Sequence, residues 1–309
     1  TLSKLNRAVN DKEINYETVL CKIDKESRIA NIHIIGPKED QLISLDDAEE
    51  LGCNWWPLKF ARELEDLILL LRTNELEVGV FTITSEGNTE NTIKLTTIIE
   101  ENKNNWFVNE IIGFLRRTLS RLDLSSRSIF TIVDNDSCFS GILAELLFCA
   151  DRTYMLNNAL EANSLKGPYI SLSKINFESL EMVNGLTRLS TRFNSDELKL
   201  NNLRKLINKE INVEEAYDEE LITIIPDDLD WKEEIRLSVE ERTSFSPDAL
   251  TGLEANLRFP GKETCETKIF GRLSAWQNWI FNRPNAVSEK GALKLFGTGT
   301  RAKFDNKRV

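Results

Sequence analysis

Between residues 18 and 230, short apolar runs that read as strands take turns with longer runs spaced as helices. That alternation restricts the chain to a layered α/β architecture. YETVLCKID and RIANIHIIG read as two strands joined by the turn Lys25, Glu26, Ser27. In GCNWWPLKFARELEDLILLLRTNE, residues Phe60, Leu64, Leu67, Ile68 and Leu71 recur at helical spacing and predict an amphipathic helix facing a core. Asn54 is a candidate cap for it, with Trp55 and Trp56 before Pro57 free to pack separately. LEVGVFTIT reads as a strand that ends at Ser85-Glu86-Gly87, and a polar segment follows. Val108, Ile111, Ile112, Leu115, Leu119 and Leu122 mark the longest clear helix. SRSIFTIVD, YISLSKI and EELITIIPDD read as strands, and SGILAELLFCAD, VNGLTRLSTRF and LKLNNLRKLINK as helices. After Trp231 no strand signal returns, and segments 231–243, 246–257 and 264–282 read as helices. Ile269, Leu273, Trp276 and Ile280 form a stripe of the kind that buries against the parent domain or a neighbouring subunit.

Composition narrows the function classes. With 41% apolar and 29% charged residues in 309, the chain is globular, of one large domain or two ordinary ones. No apolar run approaches a membrane span, and the polar start TLSKLNRAVNDKE has no signal-peptide core. The five cysteines, at 21, 53, 138, 149 and 265, form no CxxC pair, so reduced thiols in a cytoplasm are expected. His33 is the only histidine, which argues against a His-rich metal site and against Ser-His or Cys-His catalysis. It lies in a strand-like run and reads as a sheet-surface residue. A net charge of −11 disfavours a broad nucleic-acid surface. Arg116, Arg117, Arg121 and Arg127 can hold a phosphate or form a solvated face.

The chemistry-bearing segment is VDNDSCFSGILAELLFCADRTYM: a strand end, a turn of small residues, then a helix with an early acidic residue. This plan resembles the crotonase (enoyl-CoA hydratase/isomerase) superfamily, where a glycine-rich turn precedes Glu-Leu-Ala-Leu and Cys-Asp. Backbone N–H groups of such a turn can hold a thioester enolate oxygen. The resemblance places Glu145 on the superfamily's first catalytic glutamate and its three glycines on Gly141, Ile142 and Leu143. It implies oxyanion contacts from the N–H groups of Gly141 and Ile142, and possible substrate contacts at Ser137, Cys138 and Lys174. ISLSKINFESLEMVNGLTRL is similar to the second site stretch, with Gly185, Arg188 and Leu189 in place but Lys174 where a glutamate is expected. A lysine cannot serve as a carboxylate base. FTITSEGNTENT occupies the place of the other oxyanion turn, with Gly87 as a stand-in.

Bland alternatives stand beside these roles. Glu145 can equally satisfy backbone N–H groups early in its helix. Cys138 can be a packed small residue, and Lys174 a solvated strand-end lysine. Trp276 and Trp279 read as interface or core aromatics.

Four blocks resemble one family more specifically: GCNWWPLKFARELEDLILLLRTNELEVG, WFVNEIIGFLRRTLSRLDLSSRS, SCFSG…AEL…ADRTYM and SPDALTGLEANLRFPGKETCETKIFGRLSAWQNWIFNRPNAVSEKGALKLFGTG. They are similar to the C-terminal half of the benzoyl-CoA-dihydrodiol lyase (epoxybenzoyl-CoA dihydrolase) family, over roughly residues 18–309. That family opens the ring of an epoxidised benzoyl-CoA with water and releases formate. Its longer polypeptide carries a more orthodox crotonase half first, so this chain is expected to be a fragment, a split piece or a shortened relative. The resemblance implies an α/β, crotonase-like fold of repeated ββα units. The organisation expected is an N-terminal extension at 1–17, a degenerate core at 18–230 and a helical C-terminal region at 231–309. It implies no cofactor, a substrate carried as a CoA or carrier-protein thioester, and a homo-oligomer (trimer or multiple) or a partner crotonase domain. No nucleic acid and no membrane are expected as partners. The function expected is a lyase acting on an aromatic or cyclic acyl thioester. The alternative is a non-catalytic crotonase-like module that supports an active partner.

Overall fold

The structure, a computed structural model, describes residues 2–158 and 167–308. A sheet of seven strands runs in sequence order. β1 (Ala8–Val9), β2 (Glu13–Asn15), β3 (Val19–Asp24) and β4 (Ile29–Ile35) pair antiparallel, the last two forming the expected hairpin with Leu20 opposite His33. β5 (Val80–Glu86), β6 (Ser128–Val133) and β7 (Arg152–Met155) then add in parallel. Parallel neighbours require crossover connections, and helices supply them. α1 (Leu45–Leu51) and α2 (Trp56–Asn74) lead from β4 to β5, α3 (Thr89–Glu101) and α4 (Trp106–Asp123) from β5 to β6, and α5 (Glu145–Phe148) from β6 to β7. The stripe Phe60, Leu64, Leu67, Ile68 and Leu71 packs with Val108, Ile111, Leu115, Leu119 and Leu122 in one core. Asn105 caps α4, accepting from the N–H groups of Phe107 and Val108.

Several segments depart from the sequence reading. The stretch 1–17 is not a separate extension: it supplies β1 and β2, and buries Ile14 and Tyr16. Asn54 lies in a 3₁₀ turn and does not cap α2; Trp55 takes that position, with Pro57 in the first turn. Trp55 and Trp56 are buried, and their indole N–H groups donate to the carbonyls of Gln41 and Ile35. The polar segment after Gly87 is α3. YISLSKI forms no ladder, because its residues bridge singly to three different segments, at Ser140, Ile207 and Ile211. EELITIIPDD makes only single bridges beside β7. Pro226 has no N–H with which to extend a ladder there. VNGLTRLSTRF is helical only over α6 (Arg188–Arg192), since Thr187 caps it by accepting from the N–H of Ser190.

α7 (Glu197–Arg204) and α8 (Val213–Asp218) complete this part. All described elements beyond are helical: α9 (Trp231–Ser244), α10 (Pro247–Arg258), and a run in which Cys265–Thr267 passes through a π-helical Lys268–Leu273 into Ser274–Phe281. The stripe on that run is half covered, with its Ile269 and Leu273 exposed beside Phe281. No helix among the described residues is long and apolar enough to cross a membrane. His33 sits on β4 beside Thr84, with a 2.9 Å contact from Nδ1 to the Thr84 hydroxyl. Arg117 and Arg121 both donate to Glu65 on the surface, at 2.8–3.0 Å, whereas Arg127 is buried. The parallel strands therefore have two working ends. Their C-terminal ends carry Gly87 and the 134–144 turn, and their N-terminal ends meet α9 and α10.

Candidate active site

The turn after β6 is held by its own polar groups. Ser137 Oγ donates to Asp134 Oδ1 at 3.0 Å and accepts from the Asp134 N–H at 2.9 Å. The Cys138 N–H donates to Ser85 Oγ at 3.1 Å. Its thiol lies where a Cβ on Gly36 would come within 2.7 Å, so the sulfur fills the gap between the ends of β4 and β5. Burial pushes that thiol up to about 11. A buried, protonated thiol is a poor nucleophile, which favours the packing role of Cys138.

The three backbone N–H groups that the sequence resemblance singles out, those of Gly87, Gly141 and Ile142, each have a protein acceptor. The Gly87 N–H donates to the Asp136 carbonyl at 3.1 Å. The Gly141 N–H donates to the Ser171 carbonyl at 3.0 Å, and the Ile142 N–H to Thr96 Oγ1 at 3.2 Å. Thr96 in turn donates to the Thr92 carbonyl at 2.8 Å, the usual resting place of a helical threonine hydroxyl. Gly141 has φ +49, and a Cβ there would fall 2.3 Å from Thr96 Oγ1. Glycine is required at that place both by conformation and by the approach of α3.

Glu145 begins α5, as the register predicts, but its side chain is fully buried. Oε1 accepts from Asn176 Nδ2 and Oε2 from an Arg188 guanidinium nitrogen, each at 2.8 Å. The same arginine grips Asp123 with two bonds of 3.0 and 2.6 Å. Asn176 also donates to the Gly141 carbonyl at 2.9 Å, which ties the turn to the carboxylate. Burial pushes the Glu145 carboxyl above the usual range, and the Arg188 charge pulls against that shift. Burial opposes the charge of Arg188, yet Asp123 and Glu145 together hold its guanidinium protonated. The carboxylate has no exposed surface, and both its oxygens are engaged.

Lys174 is exposed at the start of a 3₁₀ turn whose next N–H, that of Ile175, donates to Glu100 at 2.8 Å. Of the candidate residues, Gly141, Ile142 and Glu145 are brought together, while Ser137 and Cys138 line the strand end and Lys174 faces out. Sequence reasoning missed Thr96 and Asn176, which complete the closure. Only the Ser173–Asn176 capping box gave a local signal for the second.

No protein-family model matches the chain. A curated relative, the benzoyl-CoA-dihydrodiol lyase of Aromatoleum evansii, is 49% identical over 308 residues. The match takes in 100% of this chain but 55% of the relative, so the chain spans about half the relative's length. Among solved structures, an enoyl-CoA hydratase of Geobacillus kaustophilus HTA426 superposes with a TM-score of 0.64 at 16% identity, covering 95% of this chain and 98% of that one. An enoyl-CoA hydratase/isomerase of Cupriavidus metallidurans CH34 gives 0.62 at 14% identity, with 95% and 98% covered. An enoyl-CoA hydratase of Mycobacterium smegmatis gives 0.60 at 11% identity, with 93% and 98% covered. The fold is that of the crotonases.

Proposed function

We propose that this chain is the C-terminal part of a lyase that acts on an aromatic or cyclic acyl thioester, adding water and cleaving a ring or C–C bond. The observation that carries this reading is the 49% identity, over the whole chain, to a benzoyl-CoA-dihydrodiol lyase. The thioester carrier is coenzyme A or a carrier protein, and the chemistry needs no further cofactor. Five cysteines free of disulfides fit a reducing cytoplasm.

A second reading concerns where in that enzyme the chemistry sits. If Glu145 were the acid/base, with Gly141 and Ile142 holding the thioester oxygen, substrate would have to displace Ser171 and Thr96 from those N–H groups. Glu145 would also have to leave Arg188, which breaks a buried pair. Ser137 and Cys138 would have to turn from their present partners, and Lys174 would reach in from the surface. The closed donors favour the alternative: a non-catalytic crotonase-like region that supports an active partner half. The apolar residues left exposed on 265–281 suit an interface in a homo-oligomer (a trimer or a multiple) or with that half.

The test is formate release from a ring-epoxidised benzoyl-CoA. The isolated chain should give none, and turnover should return when the remainder of the longer polypeptide is supplied. Turnover by neither would reject the lyase reading. Turnover by the isolated chain would reject the supporting role.

A further inference from the structure

At the end of the sheet opposite the turn after β6 lies a cavity of about 230 Å³. It opens beneath α10, beside the N-terminal ends of β6 and β7. Its walls bring together Arg188 and Arg192 of α6, Arg242 of α9 and Arg258 of α10. Asp123, Asp151 and Glu254 face them. None of these groups takes part in the thioester turn, except that Arg188 also holds Glu145 from behind.

The pairing is uneven. Arg188 serves Asp123 and Glu145; Arg258 binds Asp151 through bonds of 2.8 and 2.5 Å; Arg242 binds Glu254 at 3.0 Å. Arg192 forms no ion pair among the described residues. Its Nε donates to the Glu220 carbonyl at 3.0 Å, and the Glu220 charge attracts it only from a distance. Beside it, the Thr191 hydroxyl is buried and has no protein partner, nor has Arg242 Nε. Buried donors without acceptors are costly, and an accepting ligand in the cavity would satisfy them.

We propose that this cavity binds a small carboxylate monoanion, held by the Arg192 guanidinium and the Thr191 hydroxyl beneath α10. A planar carboxylate matches the guanidinium fork, and one negative charge matches the local balance. Glu254 sets that balance. Its Oε1 accepts from Ser128 and Arg242, whereas Oε2 has no donor of its own. As a carboxylic acid, Glu254 can instead donate to its neighbour Asp151. Burial, then the Asp151 charge, push its carboxyl up to about 7, against the pull of Arg258. Arg308 is the other charged group near it, on the tail. Against Arg188, Arg192, Arg242 and Arg258 stand Asp123, Asp151 and the Glu145 that Arg188 also holds, so with Glu254 protonated this set is one negative charge short. With Glu254 ionised the set balances, and the attraction for an anion falls. Binding therefore takes up the proton.

The test is calorimetric titration of acetate into the purified chain at constant ionic strength, with chloride as the control. The expected result is one saturable site per chain, about tenfold tighter at pH 6 than at pH 8. Arg192→Gln should weaken it by about tenfold or more. Thr191→Val, which leaves every charge in place, should weaken it by a few-fold and serves alone if the arginine variant fails to fold. No saturable heat at pH 6, equal heat with chloride, or affinity untouched by the variants would overturn the proposal.

Discussion

At Thr96, a single hydroxyl closes one backbone donor of the turn after β6. It takes the Ile142 N–H and crowds Gly141. Gly141→Ala should therefore cost on the order of 2–3 kcal/mol or more, from strain and contact with Thr96 together, read by urea unfolding. Glu145 makes a similar point through charge. Glu145→Ala leaves Arg188 with one carboxylate fewer in a buried place and should lower stability by about 3–5 kcal/mol. A residue kept only for chemistry would give little loss. Glu254 predicts a pH dependence whose sign is fixed. A carboxyl raised in the folded state, from 4.5 to about 7, stabilises the fold fully below the lower value and loses that contribution as pH rises through the higher. The span corresponds to about 3 kcal/mol. Glu254→Gln should thus flatten the fall in unfolding free energy between pH 5 and 8; an unchanged slope would assign it to other groups.

Among the elements, legibility followed the chemistry of the buried face. α2 and α4 bury leucine, isoleucine and phenylalanine at regular spacing, and a sequence displays that directly. α3 buries Thr89, Thr92 and Thr96 with Leu95 and Ile99, so its inward face reads as polar. Thr92 and Thr96 satisfy their hydroxyls on carbonyls four residues back, on Asn88 at 3.1 Å and on Thr92 at 2.8 Å. β7 is four residues long and enters the sheet because Asp151 accepts from the Ile129 N–H at 2.7 Å, a contact 22 positions apart in sequence. The same limit applies to the site. Glu145 was legible from register with a turn and a helix start, whereas its burial depends on Arg188, and the closure on Thr96, both far along the chain. Arg258 shows how α10 is attached: besides Asp151 it donates to the carbonyls of Ser125 and Arg127 at 2.6 and 2.7 Å. Arg258→Ala should release α10 from the sheet, seen as faster amide exchange across 247–258 and at the start of β6, with β3 and β4 unaffected.

For the whole molecule, the crotonase architecture is kept, and the C-terminal helices leave Ile269, Phe270, Leu273 and Phe281 exposed. Apolar surface of that kind is what an oligomer interface requires. Light scattering after size exclusion should give a multiple of the 35.4 kDa chain mass, and Phe270→Glu should shift it toward the monomer. The central proposal is that this chain supports catalysis carried out by an active partner half. Formate release from ring-epoxidised benzoyl-CoA by the isolated, folded chain tests it most directly. The account predicts no formate above the buffer control; formate release that Glu145→Gln abolishes would contradict it.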